Sequence, residues 1–291
     1  MAQLIAVAAI WGVNNVAAKV ALSAFPPMMT VALRFGVVLV VLAPWLKPVP
    51  REAVRPLATV AILMGPLHFG LLYFGIYLAR DLGPMIIAMQ LWAPFSVVFA
   101  GLILKEPSSP LRLAGVAVAF AGVASMTFDP VVFAQGPALA LIACASAIYA
   151  LGTISLRRLP SMNTWTIQAW LSAAITPTMI LGSAAFEHGQ LDAALHAGWT
   201  PWACAMFGAV ASSLVANYML FRLVQRYEVA RTTPYLLLAP LVSFALSAAV
   251  LHDRITAQIA AGGAAALAGV LLVAAAEKRF AFVFRKQALK Q

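Results

Sequence analysis

The sequence predicts an all-α polytopic membrane protein, with ten transmembrane helices arranged as two inverted five-helix repeats. Three observations support this fold class: an extreme composition, a series of long apolar runs, and an alternation of basic connections along the chain. Of the 291 residues, 63% are hydrophobic and only 10% are charged. Soluble domains carry about 25% charged and about 45–50% apolar residues. The composition therefore excludes an ordinary soluble enzyme and a disordered chain.

Ten apolar runs follow one another along the chain, each close to the length of about 20 residues that a transmembrane helix needs. Strands of a membrane barrel are shorter and alternate in polarity, whereas these runs are apolar on every face. A helix also satisfies its own backbone hydrogen bonds in lipid. The connections are short, so any function is expected inside the bundle. The predicted helices are Leu4–Ala21, Met28–Leu46, Leu57–Leu78, Pro84–Leu104, Leu111–Phe128, Val131–Leu156, Thr164–Phe186, Pro201–Leu223, Thr232–Leu251 and Ile255–Ala276.

The basic residues indicate the orientation of the chain. With the N-terminus in the cytoplasm, 15 of the 19 Lys and Arg residues fall in cytoplasmic connections or the C-terminal tail, and only Arg80 and Arg254 fall outside. This split follows the positive-inside rule and predicts that both termini are cytoplasmic. Lys19 and Arg34 fall within helices, toward the outer ends, where they can snorkel; carboxylate binding is the alternative. The net charge of +10 therefore indicates topology in a lipid bilayer and no nucleic-acid partner.

The two halves of the chain resemble each other. Leu91, Ala93 and Pro94 match Leu237, Ala239 and Pro240 at a shift of 146 residues. With one residue inserted, Glu106 meets Asp253, although His252 stands where a strict repeat would place an acid, which leaves the register open by one residue. The other matched pairs are Ala9/Ala147, Ile10/Ile148, Trp11/Tyr149, Lys19/Arg157, Tyr73/Tyr218, Ala114/Ala261, Gly115/Gly262, Ala121/Ala268 and Gly122/Gly269.

An odd number of helices in each half makes the repeat inverted, because the second half then starts on the opposite side of the membrane. The predicted units are residues 1–130, residues 131–277 and a basic cytoplasmic tail at 278–291. Inverted repeats are typical of secondary transporters, whose substrate site lies at the bilayer midplane between the halves.

The chain resembles the drug/metabolite transporter superfamily, and within it the EamA-type ten-helix permeases. The resemblance covers essentially the whole chain. It rests on WGVNN at residues 11–15, on Pro94 and Pro240, on the acids Glu106 and Asp253, and on the Ala-Gly pairs that end at Gly122 and Gly269. The sequence is similar to the bacterial YddG-type exporters of aromatic and other neutral amino acids. This resemblance implies a basket-like bundle with helices 1, 3, 4, 6, 8 and 9 around a central cavity.

Polar and aromatic residues near the predicted helix centres are the candidate substrate-binding residues, because polar groups in hydrocarbon are costly. An Asn amide can donate to a carboxylate and accept from an ammonium, and tyrosines can stack on an aromatic substrate or surround a cation. Interhelical hydrogen bonding is the alternative for the asparagines, and packing is the favoured alternative for His68. The candidate set is Trp11, Asn14, Asn15, His68, Tyr73, Tyr77, Gln90, Trp92, Tyr149, Asn217, Tyr218 and Tyr235.

Pro94 and Pro240 are candidate hinges, since each removes a backbone hydrogen bond in the middle of its helix; static curvature is the alternative. None of the nine acidic residues falls within a predicted span. That distribution disfavours polyamine substrates and carboxylate-based ion coupling, and it leaves His68 as the obvious proton-coupling candidate.

The sequence therefore predicts an inner-membrane secondary transporter that exports aromatic and other neutral amino acids by alternating access through a midplane cavity. The alternative is a permease for other small metabolites or cationic drugs. No nucleophile with a base and no metal cluster is expected at one depth, so we expect no enzyme, no catalytic residue, no metal and no cofactor. A monomer and a homodimer both remain open.

Overall fold

The computed structural model describes residues 2–159, 162–220 and 238–288, and every regular element in these ranges is a helix. In this part of the chain, eight helices are long and apolar enough to cross a membrane, and two shorter apolar helices, Pro110–Met126 and Leu238–Val250, accompany them. Short helices at Pro130–Phe133 and Gln190–His196 lie in connections. The main helices are α1 (Ala2–Ala21), α2 (Pro27–Trp45), α3 (Arg51–Leu78), α4 (Gly83–Leu104), α5 (Pro110–Met126), α6 (Gly136–Leu156), α7 (Thr164–Phe186), α8 (Trp199–Leu220), α9 (Leu238–Val250) and α10 (Ala257–Ala288).

Most helix boundaries lie within a few residues of those predicted, and two differences have a physical reason. Helix α3 begins at Arg51 rather than Leu57, because Pro50 precedes it and Glu52 complements the dipole of its first turn. Helix α6 begins at Gly136 rather than Val131, because Asp129 caps a separate short helix. Helix α10 continues to Ala288, into the predicted tail. The predicted end of the eighth helix and start of the ninth lie outside the described residues.

Three helices are irregular near their centres. Helix α3 contains a π-helical segment, Leu63–Leu67, in which Gly65 has φ −98° and ψ −112°. Helix α8 contains a second, Gly208–Ala216. Helix α4 is interrupted at Gln90, because Pro94 lacks the N–H that would bond to the Gln90 carbonyl. Such interruptions redirect side chains and are frequent at functional sites.

Helices α5 and α10 pack antiparallel with their backbones in close contact. A Cβ atom added to Gly115 would lie 2.9 Å from the Gly269 carbonyl oxygen, and one added to Gly122 would lie 2.7 Å from that of Gly262. The reverse additions, at Gly269 and Gly262, would lie 2.7 and 2.8 Å from the carbonyl oxygens of Gly115 and Gly122. The crossing therefore depends on glycine at all four positions, as in other close helix pairs of membranes.

Helices α4 and α9 end in the same way. Lys105 and His252 have φ of 54° and 57°, and within the described ranges they are the non-glycine residues with positive φ. The next residues donate six positions back, from Glu106 N to Ala100 O at 3.3 Å and from Asp253 N to Ser247 O at 3.4 Å. A residue in the left-handed conformation is a common end of a helix. The shared geometry places Glu106 and Asp253 at equivalent positions of the two helix ends.

Candidate functional site

An aromatic cluster brings together three of the predicted site residues, one each from α3, α4 and α6. The rings of His68 and Tyr149 have centroids 4.8 Å apart, and those of Trp92 and Tyr149 lie 6.0 Å apart at 86°. His68 follows the π-helical segment of α3 directly, and Trp92 follows the interruption of α4. Nδ1 of His68 lies 2.9 Å from the Ala145 carbonyl oxygen, which fixes the ring. Trp92 is 41% exposed, so the described protein leaves part of its ring uncovered.

A buried guanidinium forms a second group beside this cluster. Arg34 of α2 is only 7% exposed. Its Nη1 donates to the Tyr73 hydroxyl at 2.8 Å, its Nε to Ser213 Oγ at 3.0 Å and its Nη2 to Ser212 Oγ at 3.2 Å. Both serines belong to the π-helical segment of α8. None of these partners is charged, and within the described residues no carboxylate forms an ion pair with Arg34.

Phe69 joins the two groups. Its ring centroid lies 4.9 Å from that of His68 and 6.4 Å from that of Tyr73, and the Arg34 guanidinium carbon lies 5.7 Å from the Phe69 ring. The prediction that Arg34 snorkels is therefore wrong, because its side chain is buried and its hydrogen-bonding partners lie on α3 and α8. The adjacent serines of α8 were the available sequence signal, but the sequence alone does not show which helix they face.

Asn14 and Asn15 have different surroundings. Asn14 Oδ1 is buried without a hydrogen-bond partner in the described structure. It lies 3.1 Å from the point where a Cβ of Gly208 would stand, and Arg34 Nη1 lies 3.7 Å from the same point. Asn15 Nδ2 instead donates to Ser243 Oγ at 2.9 Å, across the contact between α1 and α9. Asn15 thus makes the interhelical hydrogen bond that was the alternative to substrate binding, while Asn14 leaves an acceptor unused beside a cation.

The remaining predicted residues have other surroundings or lie outside the described ranges. Tyr218 stacks on Trp165 at 5.6 Å, and Tyr77 is 50% exposed near the end of α3. Asn217 Nδ2 donates to the Ser213 carbonyl oxygen in its own helix at 2.9 Å. Tyr235 lies outside the described residues. Gln90 stands at the interruption of α4, Trp11 is partly buried in α1, and Pro94 and Pro240 are buried in α4 and α9.

Lys19 lies at the end of α1 and donates to the last carbonyls of α3. Its Nζ lies 2.8 Å from the Ile76 oxygen and also donates to the Ala79 oxygen, an arrangement that suits a cation at a helix C-terminus. The charges of Asp253 and Asp81 act on the same ammonium. Burial raises the pKa of the Asp253 carboxyl, and the hydrogen bond from the Gly83 backbone N–H opposes that rise.

An ion pair lies between the end of α4 and the end of α6. Arg157 Nη1 is 3.2 Å from Glu106 Oε2, and the sequence comparison of the two halves aligned these residues with Lys19 and Asp253. In the described ranges, no three His, Cys, Asp or Glu residues come together in a way that could hold a metal ion.

Comparisons with known proteins place this bundle among transporters. The model of the EamA-like transporter family matches residues 1–128 and again residues 136–275. A "Probable amino-acid metabolite efflux pump" of Escherichia coli K12 is 27% identical over 270 residues, covering 86% of each chain. The protein of the same name in Salmonella typhimurium is 25% identical over 283 residues, covering 91% of each.

A further relative and a solved structure are also similar to this chain. The "Uncharacterized transporter YvbV" of Bacillus subtilis is 28% identical, covering 87% of this chain and 84% of that protein. A solved crystal structure superposes with a TM-score of 0.61 at 18% identity, covering 96% of this chain and 98% of the other, which shows a shared fold. The family and the three named relatives indicate a transporter rather than an enzyme, and the resemblance found in the sequence is confirmed. The chain belongs to the EamA-like transporter family and is a multi-pass membrane protein.

Proposed function

We propose that this protein is a secondary transporter of the bacterial inner membrane that exports aromatic and other neutral amino acids. The substrate binds near the bilayer midplane and crosses by alternating access through a central cavity. The observation that carries the proposal is the aromatic cluster of His68, Trp92 and Tyr149, set at the irregular points of α3 and α4 and joined to polar groups through Phe69. Aromatic faces suit the side chain of such a substrate, and neighbouring polar groups suit its charged ends.

The proposed architecture is ten transmembrane helices in two inverted repeats, residues 1–130 and 131–277. The reciprocal contacts Gly115 with Gly269 and Gly122 with Gly262 support it. Gly262 is the proposed counterpart of Gly115, and Gly269 is that of Gly122. A two-fold axis that relates the two units would therefore turn one contact into the other. The equivalent helix ends at Lys105 and His252 support the same relation, as do the π-helical segments of α3 and α8. Both termini would then lie in the cytoplasm.

Alternating access needs two ends of the cavity that open in turn. The ion pair Arg157–Glu106 stands at the cytoplasmic end of the proposed arrangement. At its outer end the charge of Asp253 acts on Lys19, which donates to carbonyl oxygens at the end of α3. We assign both interactions to the closing of the two ends, and we assign the prolines Pro94 and Pro240 to the bending that accompanies opening.

A permease for cationic drugs is the main alternative, and one observation disfavours it. The ionised side chain beside the aromatic cluster is Arg34, whose positive charge would repel a cationic substrate. No acidic residue falls within a predicted span, so the proposal assigns the acidic residues no part in ion coupling. We therefore expect export down the substrate gradient, with His68 as the residue to test for proton coupling.

Purified protein in liposomes tests the proposal. Counterflow of labelled phenylalanine is expected in the parent and is expected to fall in Trp92→Ala, because that substitution removes the exposed face of the cluster. Trp199→Ala is the matched control, since Trp199 is 80% exposed at the start of α8. Equal phenylalanine transport in the two variants would place the site elsewhere, and no exchange of any amino acid by the parent would end the assignment. If transport by the parent strictly requires a proton gradient, and His68→Ala loses this requirement, export driven by the substrate gradient alone is contradicted.

A further inference from the structure

We propose that Arg34 and Asn14 form an anchor for the two charged ends of the substrate, so that the protein selects compounds carrying a carboxylate and an ammonium on one carbon. The Arg34 guanidinium binds the carboxylate, and the Asn14 amide oxygen accepts from the ammonium. This inference rests on the proposed function and adds to it the residues that set the substrate class.

Within the described residues, the guanidinium of Arg34 has unused N–H donors and no carboxylate partner. Arginine carries five N–H donors, and the described structure uses three of them, on the hydroxyls of Tyr73, Ser212 and Ser213. A buried cation satisfied only by neutral groups is costly in a low-dielectric interior, and an anion that can pair with it is strongly attracted. A carboxylate is the anion whose geometry suits a guanidinium best, because it accepts two parallel hydrogen bonds.

The partners of Arg34 add further donors for an anion. A hydroxyl that accepts a hydrogen bond still has its own hydrogen to donate. The Ser213 hydroxyl donates to the Gly208 carbonyl oxygen at 3.1 Å, whereas no donation by the hydroxyls of Tyr73 and Ser212 is recorded in the described structure. A carboxylate at Arg34 can therefore accept from the guanidinium and from these two hydroxyls.

The acceptor for the ammonium lies next to this donor set. Asn14 Oδ1 is a buried oxygen without a partner, and an unsatisfied buried acceptor calls for an explanation. It and Arg34 Nη1 lie 3.1 and 3.7 Å from the position of the missing Gly208 Cβ. The two atoms therefore lie close enough together for the two ends of one amino acid to reach both. Glycine at position 208 permits this closeness, because a Cβ there would already crowd Asn14 Oδ1.

The side chain of such a substrate would extend toward the aromatic cluster. Phe69 lies against both Arg34 and His68, with a distance of 5.7 Å from the guanidinium carbon to the Phe69 ring and 4.9 Å between the ring centroids of Phe69 and His68. The polar anchor is thus continuous with an aromatic wall. This order of groups matches an amino acid with a large apolar side chain.

Three labelled probes distinguish the parts of the anchor in liposomes: phenylalanine, phenylalaninamide (which lacks the carboxylate) and 3-phenylpropanoate (which lacks the ammonium). The parent is expected to exchange phenylalanine about 10- to 100-fold faster than the amide, the range for hydrogen bonds to a charged group. Arg34→Gln is expected to abolish this acid-over-amide preference, and Arg34→Lys is expected to keep part of it. Asn14→Ala is expected to reduce the preference for phenylalanine over 3-phenylpropanoate.

Lys19→Gln is the matched control, because it removes the other cation within a helix while leaving the anchor intact. It is expected to leave the acid-to-amide ratio unchanged, whatever its effect on the total rate. If Arg34→Gln does not fold, Asn14→Asp gives an independent test. The new carboxylate would pair with Arg34, raise the unfolding temperature and remove the stabilisation of the detergent-solubilised protein by phenylalanine.

The outcomes separate the two proposals. If the parent exchanges phenylalanine and its amide equally well, or if Arg34→Gln keeps the preference, the anchor is wrong while amino-acid export stands. If Asn14→Asp binds phenylalanine as the parent does, the anchor is also wrong. If the parent exchanges neither phenylalanine nor any other amino acid, the proposed function fails, and the anchor fails with it.

Discussion

The substitution Gly122→Ala is expected to separate α5 from α10. The added Cβ would lie 2.7 Å from the Gly262 carbonyl oxygen and 2.8 Å from the Ala266 Cα. Backbone atoms cannot rotate away, so the helices must move apart, at a cost of about 1–3 kcal/mol for such overpacking. With roughly 2–4 °C of unfolding temperature per kcal/mol, the variant should unfold several degrees below the parent.

The assay is thermal unfolding of the detergent-solubilised protein, with Gly136→Ala as the matched control. A Cβ on Gly136 meets nothing within 4 Å, so this variant should unfold at or slightly above the temperature of the parent, because alanine restricts the unfolded chain. Gly262→Ala should behave like Gly122→Ala, and the double variant should cost less than the sum, since one separation makes room for both methyl groups. Equal unfolding temperatures for the Gly122 and Gly136 variants would refute this packing.

Three further predictions concern charged residues. Burial raises the pKa of Asp253 in the folded protein, so the folded state holds this proton more tightly than the unfolded chain does. Stability should therefore fall as the pH rises from about 3.9 through the folded pKa. In thermal unfolding, Asp253→Asn should lose this part of the pH dependence, and a variant with the pH profile of the parent would contradict the prediction. Glu187 is buried and accepts from two backbone N–H groups at the start of α2, at 2.7 and 3.1 Å. In thermal unfolding, Glu187→Ala should therefore destabilise the folded protein by about 1.5–3 kcal/mol. Asp192→Ala should have no comparable effect, because the Asp192 side chain is 80% exposed. The exposed pair Glu106–Arg157 is worth about 1 kcal/mol or less, so reversing either charge should change the transport rate by less than about fivefold. A double variant in which the two residues are exchanged should restore the rate of the parent. A larger loss that persists in the double variant would contradict the assigned contact.

Helix positions and helix spacing were readily predicted from the sequence. Helix α7 has the predicted bounds Thr164–Phe186, because an apolar run between polar ends fixes a membrane helix. The Ala-Gly pairs of the two halves matched in sequence, but the match did not show that Gly115 faces Gly269 and Gly122 faces Gly262. That contact depends on how the two helices pack, which neither segment alone determines.

The candidate site was harder to predict, because its residues depend on which helix faces which. His68, Trp92 and Tyr149 were all predicted, and they lie together. Arg34 was assigned to the outer end of α2, since hydropathy gives its depth only roughly and gives no direction. Asn14 and Asn15 are neighbours in sequence with the same chemistry, yet they point in different directions, and Asn15 is used for packing against α9.

The two repeat-related charge pairs show how local and global information combine. The sequence suggested that Glu106 corresponds to Asp253 and Lys19 to Arg157, with the first register open by one residue. Lys105 and His252, both in the left-handed conformation, put Glu106 and Asp253 at equivalent positions of the two helix ends. The ion pair of Arg157 with Glu106, and the influence of the Asp253 charge on Lys19, become visible only in the folded chain.

Counterflow of a neutral aromatic amino acid by the purified parent protein in liposomes tests the central claim most directly. Vesicles loaded with unlabelled phenylalanine are expected to accumulate labelled phenylalanine transiently, without an imposed ion gradient. A panel of neutral amino acids should compete with the label, while a cationic drug should not. Absence of exchange for every amino acid tested, together with exchange of a cationic drug, would contradict the account.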